Sequence, residues 1–140
     1  MPIDPGSTPA DRLAGGQLST AISNALVRIH REYLGRGPNR VRTFLKDNAL
    51  VLIMEEVLTK AEHSLVADGR SDEVLRTRSS FQQVMKADIV GAVEQLTGRK
   101  VIAFMSTNHI DPDLGCEVLL FEPDTANTGP LEQSDIDTDG

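Results

Sequence analysis

Between Gln17 and Leu34 the apolar positions Leu18, Ile22, Ala25, Leu26, Ile29 and Tyr33 recur at three- and four-residue steps, which predicts an amphipathic helix with one inward stripe. Gly35 stops that helix, and Gly37-Pro38 prevents its continuation. The period then changes to two. Arg40 to Lys46 and Ala49 to Glu55 read as strands joined through Asp47-Asn48, a short polar hairpin turn. The second of these, Ala-Leu-Val-Leu-Ile-Met, is apolar on both faces and so belongs at the centre of a sheet or under two layers of cover. Thr59-Lys-Ala-Glu62 is a capping box that opens a short helix to about Asp68, stopped by Gly69. Ser71, with Asp72 and Glu73 behind it, is expected to cap the longest helix. Leu75, Phe81, Met85, Ile89, Ala92 and Leu96 form its expected inward stripe, and Gly98 closes it. Lys100 to Ser106 and Cys116 to Glu122 read as the last two strands, separated by a loop from Thr107 to Gly115.

The order α-β-β-α-α-β-β predicts an α+β fold: a four-stranded, mostly antiparallel sheet made of two hairpins, with three helices packed on one face. The other face then needs cover, which a homodimer would supply. Residues 1–16 are rich in proline and glycine with few large apolar groups, and residues 124–140 form an acidic tail. Both are expected to be disordered, leaving a single domain over 17–123.

Charge changes this picture once it is divided along the chain. Much of the net −7 belongs to Asp124, Glu132, Asp135, Asp137 and Asp139 of the tail, which carries no base. Residues 28 to 46 instead hold Arg28, Arg31, Arg36, Arg40, Arg42 and Lys46 against Glu32 alone, a local basic cluster in an otherwise near-neutral domain. The single Cys116 excludes an internal disulfide and a thiolate metal cluster, and fits a strand packed into the core. With neither a long apolar run nor a signal-like start, the chain reads as cytoplasmic, with any membrane role peripheral. No motif calls for a cofactor.

Two stretches carry candidate chemistry. In the first, Arg31 and Tyr33 near the helix end and Arg36, Gly37, Arg40 and Arg42 beyond it could bring guanidinium forks to free backbone amides, an arrangement suited to phosphate, carboxylate or bicarbonate, or to an acidic partner. The same residues also fit a solvated basic face around an ordinary helix-to-strand turn. Glu55 and Glu56 stand opposite as possible counter-charges. Nucleic acid is disfavoured, because Tyr33 and Phe44 alone make a poor stacking platform. In the second, Asn108, His109, Asp111 and Asp113 fall in one loop and could serve proton transfer or a divalent ion, or simply build a turn around Pro112. His30 and His63 lie on helices without ligand spacing, and no serine has a nucleophile's context, so no catalytic residue is assigned.

The chain resembles the small bacterial MpsC-like family through four stretches taken together. They are Ser23-Asn-Ala-Leu-Val-Arg-Ile-His-Arg-Glu-Tyr-Leu-Gly-Arg-Gly-Pro38, Leu58-Thr-Lys-Ala-Glu-His-Ser-Leu65, Leu96-Thr-Gly-Arg-Lys-Val101 and Phe104-Met-Ser-Thr-Asn-His-Ile-Asp-Pro-Asp113. The resemblance implies a non-enzymatic, soluble accessory or regulatory component of a sodium-translocating, membrane-potential-generating system linked to inorganic carbon uptake. Its implied partner is a membrane protein of an ion or bicarbonate system. The resemblance brings no catalytic residues with it. The alternative reading of the residues is a small enzyme using the His109, Asp111 and Asp113 loop.

Overall fold

The computed structural model describes residues 15–123, so the expected disordered segments lie almost wholly outside the described residues. The described chain runs α1 (Gly16–Leu34), β1 (Arg40–Lys46), β2 (Ala49–Glu55), α2 (Lys60–Ala67), α3 (Ser71–Thr97), β3 (Val101–His109) and β4 (Leu114–Phe121). The four strands form one antiparallel sheet in the order β1-β2-β4-β3. This is the predicted α+β fold and element order. The apolar β2 is central, as its two-faced pattern required.

Local chemistry sets the ends of the elements. Gly35 and Gly98 close α1 and α3 in the left-handed conformation, at φ 82° and 69°. Thr59 and Glu62 make the reciprocal capping box at α2. Asp47 turns the first hairpin at φ 54°, and Asn48 ties that turn to β4 through the carbonyl of Phe121. Three expectations are corrected. Ser71 is the first residue inside α3 rather than its cap; Arg70 holds that position without a side-chain cap bond. The buried stripe of α3 runs through Val74, Arg78, Met85, Ile89, Val93 and Thr97, while Leu75 is exposed. Phe81, Ala92 and Leu96 pack only at its margin. The second hairpin is also longer than expected: Thr107, Asn108 and His109 belong to β3, and the connection shrinks to Ile110–Asp113.

α1 and α3 cover one face of the sheet. Leu18, Ile22, Leu26 and Ile29 of α1 meet Leu50 and Leu52 of β2, Leu119 and Phe121 of β4, and Met85, Ile89 and Val93 of α3. A smaller cluster of Met54, Val57, Leu58 and Val74 lies beneath α2. Because side chains alternate along strands, the opposite face carries the other half of every strand. Cys116 falls on that open face, half-buried, and not in the core as its sequence position suggested.

Candidate functional site

The basic corner begins where α1 ends. Gly37 follows so close to the helix that a Cβ there would meet the Val27 carbonyl oxygen at 2.8 Å, which forces the chain to turn sharply toward β1. Arg36 is thereby aimed inward. Its Nη2 donates to the Glu56 carbonyl at 2.8 Å, its Nη1 to the Leu58 carbonyl at 3.1 Å and its Nε to the Gly37 carbonyl at 3.3 Å. Arg40 and Arg42 lie instead on the open sheet face, 4.0 and 3.7 Å from a shared Glu55 carboxylate. Arg31 is exposed on the last turn of α1, which packs on the other face. The Tyr33 hydroxyl donates to Asp88 at 2.7 Å and ties α1 to α3. The six corner residues therefore do not converge on one opening. Arg36 holds backbone, Tyr33 joins helices, and Arg40 with Arg42 form an exposed pair.

The second candidate stretch divides similarly. Asn108 points to the helix side and accepts from Gln82 of α3 at 2.6 Å. His109 Nδ1 is 2.8 Å from the Pro112 carbonyl; since a carbonyl only accepts, that nitrogen carries the proton. Asp111 is exposed. Asp113 accepts from the amides of Val57 and Leu58 at 3.1 Å each and lies 3.3 Å from His63 Nε2. Among the described residues no group of three or more His, Cys, Asp or Glu side chains is placed to hold a metal ion.

Both stretches thus meet at a single segment, Glu56–Leu58, which leaves β2 and enters α2. Glu56 sits at φ 56°, strained for a residue with a side chain, and its amide donates to the Asp113 carbonyl. Asn39 donates to its carboxylate at 3.1 Å. Arg78, buried in α3, completes the clamp: Nη2 reaches the Val57 carbonyl at 2.6 Å and Glu62 Oε1 at 2.7 Å, and Nε reaches Glu62 Oε2 at 2.9 Å. Burial pushes the Glu62 carboxyl up, but the bonds and charge of Arg78, with help from Thr59, outweigh it and hold Glu62 below the usual carboxylate range. Sequence reasoning missed this pair because its members stand on different helices. An arginine in phase with Val74, Met85 and Ile89 was the available signal.

A second buried pair was also missed. Glu117 of β4 is fully buried on the helix-covered face, in the same rung as Thr43, Leu52 and Ser106. His30 Nε2 stands 3.7 Å from its Oε2, too far for a hydrogen bond, the Ser106 hydroxyl is a long 3.4 Å away, and Oε1 has no partner. Burial pushes the Glu117 carboxyl up to about 8, only partly offset by Ser106. His30 is pushed down by its own burial, against the bond to the Leu26 carbonyl and with the added repulsion of Arg78. That carbonyl bond, 2.9 Å from Nδ1, leaves Nε2 as the unprotonated nitrogen facing Glu117. At neutral pH the pair is a carboxylic acid beside a neutral imidazole. The signal in sequence was the phase of Glu117 with Leu119 and Phe121.

With the fold and these groups placed, comparison with known proteins gives a family. The model described as "Na+-translocating membrane potential-generating system (MpsC)" matches residues 14–123. The chain belongs to the MpsC family. A curated relative, the uncharacterized protein YbcI of Bacillus subtilis (strain 168), is 26% identical over 92 residues, which cover 64% of this chain and 73% of that protein. No solved structure matches the chain. The MpsC match takes in every element of the fold, the Glu56–Leu58 clamp and both buried pairs. Among the described residues no helix is long and apolar enough to cross a membrane.

Proposed function

We propose that the chain is a non-catalytic accessory or regulatory module of a membrane-potential-generating system, acting at the cytoplasmic face. It engages a carboxylate-type oxyanion, either bicarbonate or an acidic side chain of a membrane-protein partner, through Arg40 and Arg42. The observation that carries this reading is that these two exposed guanidiniums share one carboxylate, Glu55, at 4.0 and 3.7 Å. One positive charge is left over at an open site, on forks suited to bidentate oxyanion recognition. The rest of the notable chemistry is internal: Arg36, Arg78 and Asp113 hold the Glu56–Leu58 backbone. The family description supports the system in which the module works. Removing the gene from its host is expected to lower membrane potential, read with a potential-sensitive dye, and the wild-type chain to restore it. Arg40→Glu with Arg42→Glu is expected not to. Calorimetry of the purified chain separates the ligands: heat with bicarbonate names the small anion, and silence with co-purifying membrane subunits names the protein. Full restoration by the double variant overturns the reading.

A further inference from the structure

The open sheet face has an arrangement that suits one particular cover. Following the pairing across the strands, Phe44, Val51, Val118 and Met105 form a single rung, with the large side chains on the two edge strands and valines on the two central ones. Phe44 is 51% and Met105 53% exposed, and Ile102, at the irregularity of β3, is 54% exposed. The rung on one side is Arg42, Ile53, Cys116 and Thr107, and the rung on the other is Lys46, Ala49, Leu120 and Ala103. The centre is therefore apolar throughout, and the cations Arg40, Arg42 and Lys46 all sit on β1.

We infer that this face packs on the same face of a second copy, about a two-fold axis parallel to the strands, with Phe44 against Met105 of the partner subunit. Two facts on the molecule select this occupant and this axis. The first is area. Four strands spaced about 4.8 Å apart, with about seven residues each rising about 3.4 Å, give a footprint on the order of 450 Å² per copy. Side-chain relief raises the accessible area lost by both copies to about the 1,000–1,200 Å² at which specific interfaces begin. The second is charge. A two-fold axis across the strands would stack β1 on its own copy and bring Arg40, Arg42 and Lys46 against the same three cations. The axis along the strands lays β1 over β3 instead, with Arg40 over His109 of the partner subunit, Arg42 over Thr107 of the partner subunit and Lys46 over Ala103 of the partner subunit, so none of the three cations meets its own copy. The rung is then self-complementary: the Phe44 ring meets a thioether, a favourable sulfur–aromatic contact, and Val51 meets Val118. The two sheets pack aligned, as in sandwiches. Arg40 and Arg42 share the strand and face of Phe44, so they lie within this footprint: the dimer and the oxyanion site of the proposed function are alternative uses of one end of β1, and the inference does not rest on that function.

The test uses the full chain carrying Cys116→Ser, with Phe44→Cys and Met105→Cys together. Within one copy these positions stand three strand spacings apart, roughly 14 Å, and across two facing sheets about 10 Å, so neither pair lies within reach of a direct disulfide. A short bismaleimide cross-linker, long enough for the gap between facing sheets and too short for the span within one copy, is expected to give a covalent dimer on a denaturing gel in most of the sample, and in far less of it for either single variant. A companion variant, Val118→Lys, is expected to halve the mass measured by light scattering while its circular dichroism stays unchanged. Cross-linking by Phe44→Cys alone at the level of the pair would overturn the axis. A wild-type chain at single-copy mass at tens of micromolar would overturn the second copy as occupant and leave the face to another protein. These variants are scored on mass and cross-linking and the Arg40→Glu with Arg42→Glu variant on membrane potential, so the two readings fail separately.

Discussion

The Glu56–Leu58 segment and the open face of the sheet are the two extremes of this molecule. At the first, Arg36, Arg78 and Asp113 converge on three residues of backbone and Asn39 holds the Glu56 carboxylate, so these side chains are committed to the fold. At the second, Phe44, Ile102 and Met105 are about half exposed, and Arg40 and Arg42 are held only by loose contact with Glu55. The difference teaches where to look for function. Charged side chains that look like a site in sequence can be needed to hold an irregular, strained turn, whereas the groups left uncommitted by the fold are on the plain strand face.

The comparison is broken most forcefully at Arg78. Arg78→Ala leaves Glu62 and the Val57 carbonyl without their buried partner and is expected to cost about 3–5 kcal/mol by urea unfolding. A cost near that of a surface substitution would mean that the clamp does not hold the fold. Beneath the open face, Glu117 gives a pH signature of intermediate size. Its folded value near 8 lies above the ordinary 4.5, so the folded state keeps a proton that the unfolded chain has already lost. Stability present below pH 4.5 is therefore lost as pH rises toward 8. Between pH 6.5 and 8 the wild-type chain is expected to lose on the order of 1 kcal/mol, and Glu117→Gln to lose almost none. His30 has the opposite sign: its folded value lies below 6.5, so its contribution falls as pH drops below that point. Equal pH slopes for the wild-type chain and Glu117→Gln above pH 6.5 would place the proton elsewhere. The smallest effect belongs to the open face, where Arg42→Ala is expected to change stability by less than about 0.5 kcal/mol, because its ion pair is exposed. A larger loss in thermal unfolding would make the β1 rim part of the fold rather than a free surface.

Much of the fold was legible because local rules and burial agreed. The stripe of α1, the Thr59-Glu62 box, the Asp47-Asn48 turn and the central position of β2 each follow from a few adjacent residues. The second hairpin was misjudged for a physical reason. Thr107, Asn108 and His109 are polar on both faces of the strand, since Asn108 turns inward to bond Gln82, and the two-residue period vanishes. The α3 stripe was misplaced because Arg78 and Thr97 occupy core positions; each satisfies its polar atoms through partners a sequence does not reveal, Glu62 and the Val93 carbonyl. The arginine cluster was visible as a cluster, but strand alternation sends Arg40 and Arg42 to one face while α1 lies on the other. Glu117 was hidden inside an otherwise apolar strand. Only its phase with Leu119 and Phe121 marked it as buried.

The most direct measurement is the mass of the unaltered chain in solution, followed by light scattering on dilution from about 100 to about 1 micromolar. If the uncommitted face is where this protein makes its contacts with itself, the upper part of that range gives twice the mass of one chain, and Val118→Lys gives one chain throughout. A single-chain mass at every concentration for both proteins would contradict it.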